Sequence, residues 1–125
     1  PLFARAVLNG QTPDVYGDGE QTRDFTYIEN VVEANLLALT RSKVGGSTVN
    51  IGCGDRISLL SLLQSLGRLH GSDVSPRFLP PRAGDVRDSQ AAIEEARRVL
   101  GYEPKVGLEE GLRRTLAWFQ DTARA

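Results

Sequence analysis

The stretch YGDGEQTRDFTYIENVVEAN, from Tyr16 to Asn35, constrains this chain more than any other. Gly17 and Gly19 open backbone angles closed to other residues, so a tight turn is expected there. The following Arg23-Asp24-Phe25-Thr26-Tyr27 alternates like a strand. Arg23 is a permanent cation whose planar donor fork matches a phosphate. Glu29 and Asn30 then lead into a helix expected over 28–41. Its apolar face is Ile28, Val31, Val32, Asn35, Leu36 and Leu39. Turn, strand and helix in such close succession require a chain that mixes both element types.

The flanking segments extend that pattern. Pro1 to Asn9 reads as a helix with proline in the first turn and Gly10 as its stop. Thr12 to Tyr16 is a short extended piece, since Pro13 pushes Thr12 towards extension. Lys43 to Ser47 is a Gly-rich loop, Thr48 to Ile51 a β-type run, and Gly52 to Asp55 a turn. Ser58 is suited to cap a helix running to about Leu69, with Leu59, Leu62, Leu63, Leu66 and Leu69 inward. Val74 to Leu79 is a further strand candidate, ended by Pro80-Pro81. Helices are expected over Gln90–Leu100, closed by Gly101, and over Leu108–Thr122, with the last few residues frayed. This amounts to five helices and three or four short strands, an α/β or α+β class. It is too little strand for a complete doubly wound sheet.

Composition narrows the function classes. A chain of 125 residues suits one domain with a real core. A net charge of −1 argues against a nucleic-acid partner. No apolar run reaches the ~18 residues of a membrane span, and no signal peptide is visible. The single cysteine, Cys53, excludes an internal disulfide and fits a reducing, cytoplasmic setting. The absence of methionine and the opening Pro1 lead to the expectation of a piece of a longer protein.

Several chemistries lack their residues. There is no GxGxxG and no GxxxxGK[ST] motif; Gly52-Cys53-Gly54 lacks the third glycine. His70 is the only histidine and falls at a helix end, so no triad and no metal cluster can be built around it. What remains is a pair of arginines beside glycine turns. Arg23 follows Gly19, and Arg82 lies between Pro81 and Gly84, with Asp85 next. Two arginines from distant loops can close on a diphosphate through charge-assisted contacts, and Asp85 can accept from a ribose diol. The competing reading makes both arginines solvated surface residues or local ion-pair partners.

Four ordered blocks, YGDGEQTRDFTYIENVVEAN (16–35), VNIGCG (49–54), PPRAGDVRDS (80–89) and ARRVLGYEPK (96–105), resemble the NAD-dependent nucleotide-sugar epimerases and dehydratases. These are extended short-chain dehydrogenase/reductases, with UDP-hexose 4-epimerases as the nearest type. The resemblance implies an α/β fold: a small mixed α/β C-terminal substrate domain of the Rossmann type over 1–125, without the Rossmann half. That missing N-terminal half would hold NAD and the catalytic Tyr-x-x-x-Lys pair. This chain would then clamp a UDP-sugar and be inactive alone. By the same resemblance Val15 and Tyr16 lie along the uracil, and Arg23 and Arg82 hold the diphosphate. Asp85 meets the ribose, and Ser58 stands near the nucleotide.

Ser89 matches the gatekeeper of the sugar pocket, where a small residue implies room for an N-acetyl group. A helix cap at Gln90 is its other reading. Ala92 departs from the aspartate common in the family. The implied partners are the Rossmann half and, for the full-length protein, a second copy in a homodimer. The other activities open to this pattern are a nucleotide-sugar dehydratase or decarboxylase, or a stand-alone binding module. A bare strand at Thr48–Ile51 would make the isolated piece oligomerise, swap that strand or repack it.

Overall fold

The structure is a computed structural model that describes residues 1–41 and 45–122. Five helices and four short strands alternate along it. They are α1 (Leu2–Leu8), β1 (Asp14–Tyr16), β2 (Thr22–Arg23), α2 (Ile28–Thr40), β3 (Ile57–Ser58), α3 (Leu59–His70), β4 (Arg77–Leu79), α4 (Glu94–Leu100) and α5 (Leu108–Thr122). The mixed α/β class is as the sequence led us to expect. Lys43 and Val44 of the Gly-rich loop, and the expected frayed end at 123–125, lie outside the described residues.

Two small sheets position the loops. β1 and β4 run parallel, with Val15 opposite Phe78. At one end of the pair, the Arg77 guanidinium donates twice to the Asp14 carboxylate, at 2.7 and 3.0 Å. β2 and β3 run antiparallel, with Thr22 opposite Ser58. The other edge of Thr22 takes up the chain at 87–89. The Thr22 N–H donates to the Arg87 carbonyl at 2.9 Å, and the Ser89 N–H donates to the Thr22 carbonyl at 3.1 Å. Thr22 therefore joins three distant segments.

The core has two parts. Ala4 and Val7 of α1, Leu62 and Leu66 of α3, and Leu116 of α5 form one cluster, with Phe3, Phe25, Leu112 and Phe119 packed against it. The helical spacing of the leucines in α3 accounts for it. The second cluster is Ala34 of α2 with Ala96, Leu100 and Tyr102. Tyr102 is fully enclosed, and its hydroxyl donates to the Gly52 carbonyl at 2.8 Å, so its polar end is satisfied. Gly71 and Gly101 end α3 and α4 in the left-handed region, as expected of those glycines.

Three expectations are corrected. The Arg23–Tyr27 strand stops at Arg23, because the Asp24 carboxylate next in line gathers backbone N–H groups from other segments. Thr48–Ile51 has no strand partner among the described residues; Val49 and Ile51 instead pack on the second cluster. The short strand at Ile57–Ser58 takes up the pairing with β2. α4 starts at Glu94, four residues after the expected start at Gln90, and has no side-chain cap.

α2 buries Asn30 and Ala34, while Ile28, Val32, Leu36 and Leu39 of its expected apolar face are exposed, Leu39 by 81%. Asn30 sets this rotation. Its side-chain oxygen accepts from Lys105 and Val106 N–H at 2.9 and 3.0 Å, and its amide donates to the Val106 carbonyl at 2.8 Å.

Candidate nucleotide and sugar clefts

The glycine turn after β1 works first as a helix cap. Its carbonyls at Gly19 and Gln21 accept the N–H groups of Leu60 and Leu59, at 3.1 and 3.2 Å. Ser58 Oγ accepts the Ser61 N–H at 3.1 Å, as its capping role requires. Three of the free donors at the start of α3 are thereby satisfied. Gly19 has φ of 77°, and a Cβ there would meet Leu60 Cγ at 2.7 Å, so this position needs glycine on two counts. The Asp18 carboxylate accepts the Glu20 N–H and pairs with Arg87. Those contacts hold it below the usual carboxylate range, the Glu20 N–H first.

This turn delivers Tyr16 and Arg23 to one cleft of about 420 Å³. Val15, Tyr16, Arg23, Arg82 and Asp85 all line it, together with Gln21. Arg23 Nη2 donates to Asp85 Oδ1 at 2.5 Å, and Nη1 to the Thr22 carbonyl at 2.7 Å. The Arg82 guanidinium stacks 3.8 Å above the Tyr16 ring centre. Arg82 and Asp85 are the ends of one turn, closed by the Asp85 N–H donating to the Arg82 carbonyl at 3.2 Å. Gly84 supplies the positive φ of 79° inside it. Two cations, an aromatic ring and a carboxylate thus converge from distant segments, Arg23 and Asp85 being 62 positions apart in sequence.

A second cleft, of about 380 Å³, opens on the other side of Arg23. Its walls are Asp24, Thr26, Asn50, Ile51, Ser89, Gln90 and Ala91. Ser89 therefore lies beside Arg23 but in a different hollow from Arg82. Ser89 is no helix cap, since α4 begins five residues later. Ser58 lines neither cleft.

Gln21 and Asp24 line these clefts although sequence reasoning gave them no role there, and Asn30 anchors the helix that follows. Gln21 is buried, its amide donating to the Tyr16 carbonyl at 2.6 Å. Asn30 ties α2 to the 105–106 segment. Asp24 accepts from Cys53 and Gly54 N–H, both at 2.9 Å. An aspartate in the middle of a strand-like run is unfavourable for a strand, and that was the signal available. Cys53 sits behind this joint, and burial first, then the Asp24 charge, pushes its thiol up.

The pyrophosphate of NAD requires free N–H donors. The Cys53 and Gly54 N–H groups are taken by Asp24, and those of Gly17 and Glu20 by the Leu79 carbonyl and the Asp18 carboxylate. No helix among the described residues is long and apolar enough to cross a membrane.

Residues 1–52 match the NAD dependent epimerase/dehydratase family. The UDP-glucose 4-epimerase of Mycolicibacterium smegmatis is 36% identical over 123 residues, covering 98% of this chain and 39% of that protein. The Thermotoga maritima UDP-glucose 4-epimerase, solved with UDP-glucose, superposes with a TM-score of 0.90 at 40% identity, over 97% of this chain and 38% of that one. The UDP-glucuronic acid 4-epimerase of Bacillus cereus, solved with UDP-glucuronic acid and NAD, gives 0.91 at 30% identity, over 97% and 39%. The chain spans about two-fifths of the length of these relatives. By these matches the chain belongs to the NAD-dependent epimerase/dehydratase family and corresponds to the C-terminal portion of its extended short-chain dehydrogenase/reductase structures.

Proposed function

We propose that this chain is the nucleotide-sugar-binding domain of an NAD-dependent UDP-sugar 4-epimerase. In this reading residues 1–125 clamp UDP, and a preceding Rossmann half supplies the catalytic groups and holds NAD. The observation that carries it is the convergence of Tyr16, Arg23, Arg82 and Asp85 on one cleft. Arg23 and Arg82 hold the diphosphate, Asp85 accepts from the ribose, and Val15 and Tyr16 flank the base. The sugar occupies the second cleft, where Ser89 leaves room for UDP-glucose or UDP-galactose and for an N-acetyl group. Ser58 acts at one remove, by capping the helix on which the glycine turn rests.

The exposed apolar face of α2 is the surface on which the Rossmann half packs. The whole protein is a cytoplasmic homodimer, and the isolated chain is inactive. Calorimetric titration with UDP tests the clamp. Arg23→Ala and Arg82→Ala should each weaken binding by about tenfold or more, the effect of losing a charge-assisted contact. Unchanged affinity in both variants refutes the clamp. Assay of the longer protein on UDP-GlcNAc and UDP-glucose tests Ser89, and acceptance of only the second refutes the roomy pocket.

A further inference from the structure

Asp24 stands next to Arg23 but faces the other way, into the joint between three segments. Its Oδ1 accepts the Cys53 N–H at 2.9 Å and the Thr26 hydroxyl at 3.2 Å. Its Oδ2 accepts the Gly54 N–H at 2.9 Å and the Ala91 N–H at 3.3 Å. One carboxylate therefore holds the 52–54 turn and the 89–91 segment against the end of β2. These are the segments that carry the two walls of the second cleft, Asn50-Ile51 on one side and Ser89-Gln90-Ala91 on the other. Gly52 shows how tight the joint is. A Cβ there would lie 2.5 Å from both Asp24 Oδ2 and the Ala91 Cβ. Gln90 adds a direct strap between the walls, its amide donating to the Gly54 carbonyl at 2.5 Å.

We propose that Asp24 is a positioning residue for the sugar: its carboxylate sets the separation of the two walls of the second cleft without touching the nucleotide. This rests on the UDP-sugar reading above. It adds that recognition of the sugar is fixed by a residue whose side chain is spent on backbone N–H groups. A carboxylate is required because every group it faces is a donor. In Asp24→Asn one oxygen becomes an N–H donor, so in either orientation at least one backbone N–H loses its acceptor.

The test combines amide exchange with titration of the 125-residue chain. In Asp24→Asn either the Cys53 amide or the Gly54 and Ala91 amides, according to which oxygen is replaced, should exchange about tenfold faster, by local opening. The Lys105 and Val106 amides, held independently by Asn30, should not change. Affinity for UDP should stay within about twofold, while UDP-glucose should lose its advantage over UDP. Unchanged exchange at all of Cys53, Gly54 and Ala91, equal acceleration of these and of Lys105 and Val106, or equal loss for both ligands overturns the proposal. A second measurement needs no variant. UDP-glucose should slow Gly54 and Ala91 exchange in the unsubstituted chain more than UDP does, and equal slowing contradicts the inference. Failure of the unsubstituted chain to bind UDP at all contradicts the nucleotide reading itself, and is seen before any substitution is made.

Discussion

Asn30 shows how one buried amide can decide the orientation of a helix. It is 2% exposed, and its side chain serves two backbone N–H groups and one carbonyl of the 105–106 segment. Asn30→Ala leaves those groups unpaired, and each costs roughly 1–3 kcal/mol when buried. We expect a loss of about 3 kcal/mol in urea unfolding, and a loss below about 1 kcal/mol would show that water replaces the amide. Cys53 provides a residue-scale test of the joint beside it. Burial and the Asp24 charge raise its thiol pKa, so the neutral form is favoured in the folded state. Iodoacetamide should label it roughly tenfold more slowly at pH 8 than in the unfolded chain. Because the folded pKa is the higher one, the linked stability is complete below the unfolded pKa and falls as pH rises through the folded one. Equal labelling rates would contradict the burial.

At the scale of elements, the glycine turn, the Arg82–Asp85 turn and the start of α3 work as one unit. Gly19→Ala forces a side chain onto Leu60 and Val15 at a positive φ. It should lower stability by about 3 kcal/mol, combining overpacking with left-handed strain. A neutral result would mean that the turn can re-form elsewhere. These elements also show why some features were legible in the sequence. Arg23 and Arg82 stood out because cations beside glycine turns are a local pattern, and Ser58 because helix caps are local. Asp24 did not, since its partners at 53, 54 and 91 come from distant segments. Thr48–Ile51 read as a strand from its β-branched residues, but a strand also needs a neighbour, and pairing is not encoded locally. The side of α2 that this chain buries was not legible for the same reason. Its apolar stripe was visible, but the side it presents to this chain is set by Asn30 and the remote 105–106 segment.

For the whole molecule, the outward stripe of Ile28, Val32, Leu36 and Leu39 is the counterpart of the two arginine-centred clefts. It is a better basis for self-association of this chain than a bare strand edge, because Thr48–Ile51 is not a strand here. Sedimentation should show concentration-dependent dimers or larger species for this chain, reduced by Leu36→Glu. A monomer at all concentrations would contradict this. Closure of Arg23 and Arg82 on the diphosphate of a nucleotide sugar is decided by UDP titration of the chain and its two alanine variants. Saturable binding is expected, weakened by about tenfold or more in Arg23→Ala and in Arg82→Ala. Saturable binding left unchanged by both substitutions, or no binding at all, would contradict it.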